Sequence, residues 1–255
     1  MSASSAIPDA HNAPQTRFLI AGTPRSGTNW LVTELDAHPE IFCGWEILDE
    51  PEFMEAPAFA GHPWEGLQAF YSASREGKKA AGFKLMYFHC WINYPEHRQI
   101  WDKLEADTDI RIIFLTRQNL LRLMVSWETA KQTSQWAVKP GEKALGKALP
   151  CVLDPTLLLQ SFADIEEGFG RMRSVFAAHP HIDLTYEQLV TANGPCQLAV
   201  HHFLGVTPAF QQGRTLKQET RTLREAIRNY DQVAETLAGT RYEWFLTHPE
   251  PGADY

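Results

Sequence analysis

The segment that most constrains this chain runs from Arg17 to Ala37, RFLIAGTPRSGTNWLVTELDA. RFLIA reads as a short buried strand, Gly22–Thr28 as a turn-rich loop, and Asn29–Ala37 as a helix with Trp30, Leu31 and Leu35 near helical spacing. Strand, glycine loop and helix in that order form an anion cradle, because loop amides and a helix N-terminus converge on one point. The glycines at 22 and 27 keep the spacing of a Walker loop, G-x-x-x-x-G-K-[ST]. Thr28 stands where that motif has lysine, and Asn29 where it has the metal-binding hydroxyl. The cation is instead Arg25, inside the loop, where a guanidinium can hold two phosphate oxygens at once. Ser26 and Thr28 add hydroxyls.

The clearest buried strand is Arg111–Thr116, RIIFLT, and it ends in Arg117. A Walker ATPase would carry a magnesium-holding Asp near here. A helix over Asn119–Gln135 follows, with Ser126 nine positions after Arg117. In a parallel α/β sheet the ligand crevice lies at the carboxyl ends of the strands, so Arg117 faces the same crevice as the glycine loop. Two phosphate loops without a metal carboxylate suit a nucleotide with phosphates in two places.

Elsewhere the pattern predicts strands at Ile41–Cys43, Ala80–Tyr87 and His181–Thr185. It predicts helices at Trp64–Ser74, Pro95–Glu105, from Asp154-Pro155 to about Ala178, Pro195–Leu204 stopped by Gly205, and Thr222–Leu237. Asp49–His62 and Ala137–Pro150 read as loops, the first as a mobile one beside an acceptor site. Strands alternating with helices predict an α/β fold: a three-layer, P-loop-like architecture with a mainly parallel central sheet flanked by helices. Residues 1–15 are expected to be a disordered tail and 16–255 a single domain, a division that the 255-residue length suits.

Composition narrows the function. A net charge of −8 with no run of Lys and Arg argues against nucleic acid as a partner. Four scattered cysteines form no C-x-x-C pair, and the ten histidines include no H-E-x-x-H, so no structural metal is expected. No apolar run approaches a membrane span, and a cytoplasmic protein is the expectation.

Several segments resemble bacterial sulfotransferases of the carbohydrate, nodulation-factor and trehalose types, over most of residues 17–246. TPRSGTNWL resembles their 5′-phosphosulfate loop. LTRQNLLRLMVS resembles their 3′-phosphate motif, with Arg117 and Ser126 at the matching places. GWEIL places Glu46 where trehalose-type enzymes carry a catalytic carboxylate. LTYEQL resembles a segment near the adenine site, and LKQETRTLREAIRNY the C-terminal segment that closes over the nucleotide.

The resemblance implies transfer of a sulfuryl group from 3′-phosphoadenosine-5′-phosphosulfate (PAPS) to a hydroxyl of a small acceptor, such as a carbohydrate or lipid-linked sugar, without a metal. It implies donor contacts at Arg25, Ser26, Gly27, Thr28, Asn29, Arg117 and Ser126, with Tyr186, Lys217 and Gln218 as further nucleotide-binding candidates. Glu46 is the first choice as general base and His89, just past a strand, the second. Lys84 lies within an apolar strand, where an unpaired ammonium is costly to bury; it is either a sulfuryl or acceptor contact or an edge-strand lysine facing water. Relatives include homodimers. Two other readings remain open here: an ATP-dependent kinase of a small molecule and a noncatalytic nucleotide-binding module.

Overall fold

A computed structural model describes residues 14, 16–55, 62–73, 75–137, 148–211 and 221–248. Most of the 1–15 tail, the centre of the 137–150 loop, and Lys217 and Gln218 lie outside the described residues.

In chain order the elements are β1 (Thr16–Gly22), α1 (Thr28–Asp36), β2 (Ile41–Gly44), α2 (Pro51–Met54), α3 (Pro63–Ser72), β3 (Ala80–Met86), α4 (Ile100–Ala106), β4 (Arg111–Thr116), α5 (Leu120–Thr133), α6 (Pro155–Val175), β5 (His181–Thr185), α7 (Tyr186–Thr191), α8 (Asn193–Leu204), α9 (Leu223–Ala226) and α10 (Tyr230–Leu237). The five strands form one sheet in the order β2-β3-β1-β4-β5, and every pairing is parallel.

The period of two along each strand explains the layers. Leu19, Ala21, Ala81, Phe83, Leu85, Ile112 and Phe114 point to one face and pack with Leu67 and Tyr71 of α3, Trp101 and Leu104 of α4, and Met172 of α6. Phe18, Ile20, Ile113 and Leu115 point to the other and pack with Leu31, Val32 and Leu35 of α1 and Val200 and Leu204 of α8. Central strands buried on both faces read as nearly continuous apolar runs, which is why β1, β3 and β4 were legible. A third cluster, away from the sheet, joins α5, α6, α9, α10 and the Glu243–Leu246 turn through Leu121, Phe162, Leu223, Val233 and Phe245. The four cysteines are buried and free. No helix among the described residues is long and apolar enough to cross a membrane.

Gly82 of β3 lies opposite Phe18 of β1, and a Cβ there would sit 2.4 Å from the Phe18 carbonyl oxygen and 2.5 Å from its ring. Gly82→Ala should therefore overpack the centre of the sheet and cost about 1–3 kcal/mol. Urea denaturation is expected to show a lower midpoint at unchanged slope; an unchanged midpoint would contradict this packing.

Three expectations are corrected. Pro95–Glu105 is not one helix: Pro95–His97 forms a 3-10 turn entered through left-handed Tyr94, and α4 begins only at Ile100. Thr222–Leu237 is broken between α9 and α10, because Ile227 extends to bridge Cys151, whose N–H donates to the Ala226 carbonyl at 2.8 Å. Within Asp49–His62, Pro51–Met54 forms the helical turn α2, started by proline at its first position. The pattern also missed α7, which follows β5 without a loop and is held by a reciprocal capping box between Thr185 and Gln188.

Candidate active site

From β1 the chain goes to one side of the sheet, through β2 and β3, and then to the other side, through β4 and β5. The carboxyl ends of β1 and β4 therefore flank a topological switch point, where α/β sheets bind ligands. The glycine loop leaves β1 there, and Arg117 follows β4.

The loop takes its shape from two left-handed residues. Gly27 has φ 89° and caps α1, and Arg25 has φ 61°. A side chain at 27 would be strained by that φ, and its Cβ would meet the Tyr186 ring at 2.9 Å. Ser26 is fully buried and donates its hydroxyl to the Thr23 carbonyl at 2.6 Å, so that hydrogen bond holds the loop together. Thr28, the first residue of α1, is also buried. Among the described residues no side chain hydrogen-bonds the α1 cap, and its first turn contains no acid. The positive end of this helix is thus turned to the crevice.

Arg25 donates through Nε to Ser126 Oγ at 2.9 Å and through Nη1 to the Trp136 carbonyl at 2.5 Å. The structure thus puts the Ser126 hydroxyl on the arginine of the first loop. Arg117 donates to the Arg25 carbonyl at 3.4 Å and lies over the Tyr186 ring, 4.4 Å from its centroid. Burial, reinforced by the charge of Arg117, lowers the Arg25 pKa to about 10. Two guanidinium groups held this close favour an anion between or beside them.

A second cluster lies at the ends of β2 and β3. Lys84 is 2 % exposed, and β3 is an internal strand, so the edge-strand reading fails. Its Nζ lies 2.5 Å from Glu46 Oε1 and also donates to Asn29 Oδ1 of α1. Burial lowers the Lys84 pKa, opposed by the attraction of Glu46. His89 is fully buried; its Nδ1 accepts the Met86 backbone N–H at 3.3 Å, so Nε2 carries the hydrogen donated to Glu46 Oε2 at 3.0 Å. Burial alone would raise the Glu46 pKa, but the His89 hydrogen bond and the Lys84 charge outweigh it and hold the carboxyl at about 2. Asn29 Nδ2 reaches the Trp136 carbonyl at 3.4 Å. A polar chain therefore runs from His89 through Glu46, Lys84 and Asn29 to the Trp136 carbonyl, Arg25 and Ser126, linking the two clusters.

Glu46, Asp49 and His89 offer ligand atoms within 4.8 Å of one another. A cation there would meet the Lys84 ammonium already seated on Glu46. Of the described residues named from the sequence, Arg25, Ser126, Arg117 and Tyr186 are joined in one cluster and Glu46, Lys84, His89 and Asn29 in the other, while the Ser26 hydroxyl turns inward onto Thr23. Sequence reasoning missed the Trp136 carbonyl, which no side-chain pattern could reveal. It also missed Glu187, which accepts backbone N–H groups of Gln118 and Asn119 beside Arg117. Asn119 caps α5 by accepting from Arg122 N and donates to the Phe245 carbonyl at 2.9 Å, tying the turn after Arg117 to the Glu243–Leu246 turn.

A glycine loop with an arginine inside it and threonine in place of the Walker lysine, and a second arginine after β4 where a Walker ATPase holds its metal, meet at the switch point. No family model matches the sequence. The chain is 28% identical over 252 residues to nodulation protein H of Rhizobium tropici, covering 92% of this chain and 95% of that protein. It is 25% identical over 248 residues to nodulation protein H of Rhizobium meliloti (strain 1021), covering 91% and 96%. Among solved structures it resembles a sulfotransferase from Alicyclobacillus acidocaldarius, with a TM-score of 0.47 and 18% identity over 92% of this chain and 96% of that one.

Proposed function

We propose that this chain is a sulfotransferase that uses PAPS as donor and a hydroxyl of a carbohydrate or lipid-linked sugar as acceptor. The observation that carries the donor assignment is the contact of Arg117 with the loop that carries Arg25, at the switch point and next to the start of α1. The loop amides, Arg25 and the start of α1 hold the 5′-phosphosulfate, and Arg117 reads the 3′-phosphate. The acceptor assignment rests on the resemblance of the loop and GWEIL segments to carbohydrate-modifying members of the family.

The acceptor oxygen forms its bond to sulfur as the bond from sulfur to the bridging phosphate oxygen breaks. The electron pair leaves on the 5′-phosphate of 3′,5′-adenosine bisphosphate, and the acceptor proton passes to Glu46. Lys84 and Arg25 stabilise the charge that grows on the sulfuryl and bridging oxygens. A carboxyl with a pKa of about 2 is a poor base near neutral pH. Transfer of the Lys84 ammonium from Glu46 to the donor's sulfuryl oxygens would remove the main charge holding it there, and the base would strengthen as the donor binds. His89, with both ring nitrogens engaged, orients the carboxylate.

Calorimetry tests the donor. 3′,5′-Adenosine bisphosphate is expected to bind equally with EDTA and with magnesium; strict dependence on magnesium would favour the kinase reading. Arg117→Ala should weaken this ligand by about 1.5–3 kcal/mol and adenosine 5′-phosphosulfate, which lacks the 3′-phosphate, far less. Equal weakening would show that Arg117 does not read that phosphate.

A further inference from the structure

The two helices that begin at the switch point differ at their N-termini. Among the described residues, no side chain caps α1. The start of α5 is capped by Asn119 on Arg122 N, and the backbone just before it is held from inside the protein. Glu187, the second residue of α7, is buried, and its carboxylate accepts the Gln118 N–H at 3.1 and 3.2 Å and the Asn119 N–H at 3.4 Å. These are the two residues directly after Arg117. The reach spans 69 positions of sequence, and the Thr185–Gln188 capping box fixes the backbone from which Glu187 extends. The adjoining residue, Tyr186, lies under the Arg117 guanidinium and against Gly27. One short helix therefore grips the second phosphate loop twice, by its backbone through Glu187 and by its arginine through Tyr186.

A carboxylate on helix N-terminal amides is favoured by charge-assisted hydrogen bonds and by the helix dipole. Here it has a further effect. It occupies the amides after Arg117 and so holds the backbone from which that side chain extends. A ligand phosphate is left to the Arg117 side chain, whose backbone is pinned on the same spot.

We propose that Glu187 is a positioning residue for the donor's 3′-phosphate: by holding the Gln118 and Asn119 amides it fixes the turn that aims Arg117. This rests on the reading of Arg117 as the 3′-phosphate contact. Glu187 touches no reacting atom and acts through Arg117, so its effect is confined to ligands that carry the 3′-phosphate.

The test compares Glu187→Ala and Glu187→Gln with Arg117→Ala and with the double variant Arg117→Ala/Glu187→Ala, by calorimetry with 3′,5′-adenosine bisphosphate and with adenosine 5′-phosphosulfate. Thermal melts accompany each variant. Glu187→Ala is expected to weaken the bisphosphate about tenfold or more and the phosphosulfate by less than about twofold, in line with loss of charge-assisted bonds that order one contact. Glu187→Gln keeps one carbonyl oxygen for the amides and should fall between Glu187→Ala and the parent protein. In the Arg117→Ala background, Glu187→Ala should add no further loss of selectivity, because coupled residues are not additive.

Equal weakening of both ligands, or unchanged selectivity in both Glu187 variants, would reduce Glu187 to a structural contact and overturn the proposal. If Glu187→Ala does not fold, the Glu187→Gln comparison decides alone. If Arg117→Ala itself fails to separate the two ligands, the donor reading falls and this proposal falls with it. If Arg117→Ala separates them and the Glu187 variants do not, only the proposal falls.

Discussion

Glu46→Gln should lower the turnover number by about 10²–10⁴-fold, the usual worth of general-base catalysis, while the dissociation constant for 3′,5′-adenosine bisphosphate stays nearly constant. The substitution preserves the size of the side chain and one oxygen to accept from His89 Nε2, and it replaces the charged oxygen that faces Lys84 with an amide nitrogen. The measurement is turnover with a competent hydroxyl acceptor beside calorimetry with the nucleotide. Near-parental turnover would remove Glu46 as base. A large loss of nucleotide affinity would instead show that the Glu46–Lys84–Asn29 contacts shape the donor loop.

Lys84→Met should lower turnover by about 10²–10³-fold, comparable to removing one donor from an oxyanion site. It also carries a pH signature. In the parent protein the Glu46 carboxyl is held at about 2, against an ordinary 4.5, so it stays ionised throughout the neutral range. Its depressed value favours the folded state above the ordinary carboxyl range, and that contribution is lost as pH falls towards 2. Methionine removes the lowering charge and leaves the burial that raises the pKa, so the acidic limb of the pH–rate profile should move to higher pH. Rate profiles of the two proteins with a poor and a good acceptor would show it. A Lys84→Met profile superimposable on the parent's would mean that Lys84 does not set the basicity of Glu46.

The sequence made the sheet legible where local chemistry agrees with the fold. Arg111–Thr116 and His181–Thr185 coincide with β4 and β5, because a compact apolar or alternating run between polar flanks admits few alternatives. The glycine loop was legible for the same reason: Gly22 and Gly27 mark a strand-to-helix turn whatever surrounds them. The breaks after Arg98 and at Ile227 were not, since one follows from left-handed Tyr94 and the other from a bridge to Cys151, far away in sequence. The site divides in the same way. Arg25, Arg117 and Glu46 could be proposed from motif position. That Lys84 is seated on Glu46, that Ser126 accepts from Arg25, and that Glu187 holds the amides after Arg117 are long-range pairings. No periodicity encodes them.

The hydrogen bond from Asn119 to the Phe245 carbonyl has a consequence for how the protein is made. Its partners are 126 positions apart, and the later one belongs to the cluster of Leu121, Phe162 and Val233 that supports α5. On the ribosome, β1 and the glycine loop emerge early, but the turn carrying Arg117 lacks this anchor until Phe245 has cleared the exit tunnel. A nascent chain halted before that point has the glycine loop without the anchored Arg117 turn, so a ligand that needs both cannot guide the folding of β1.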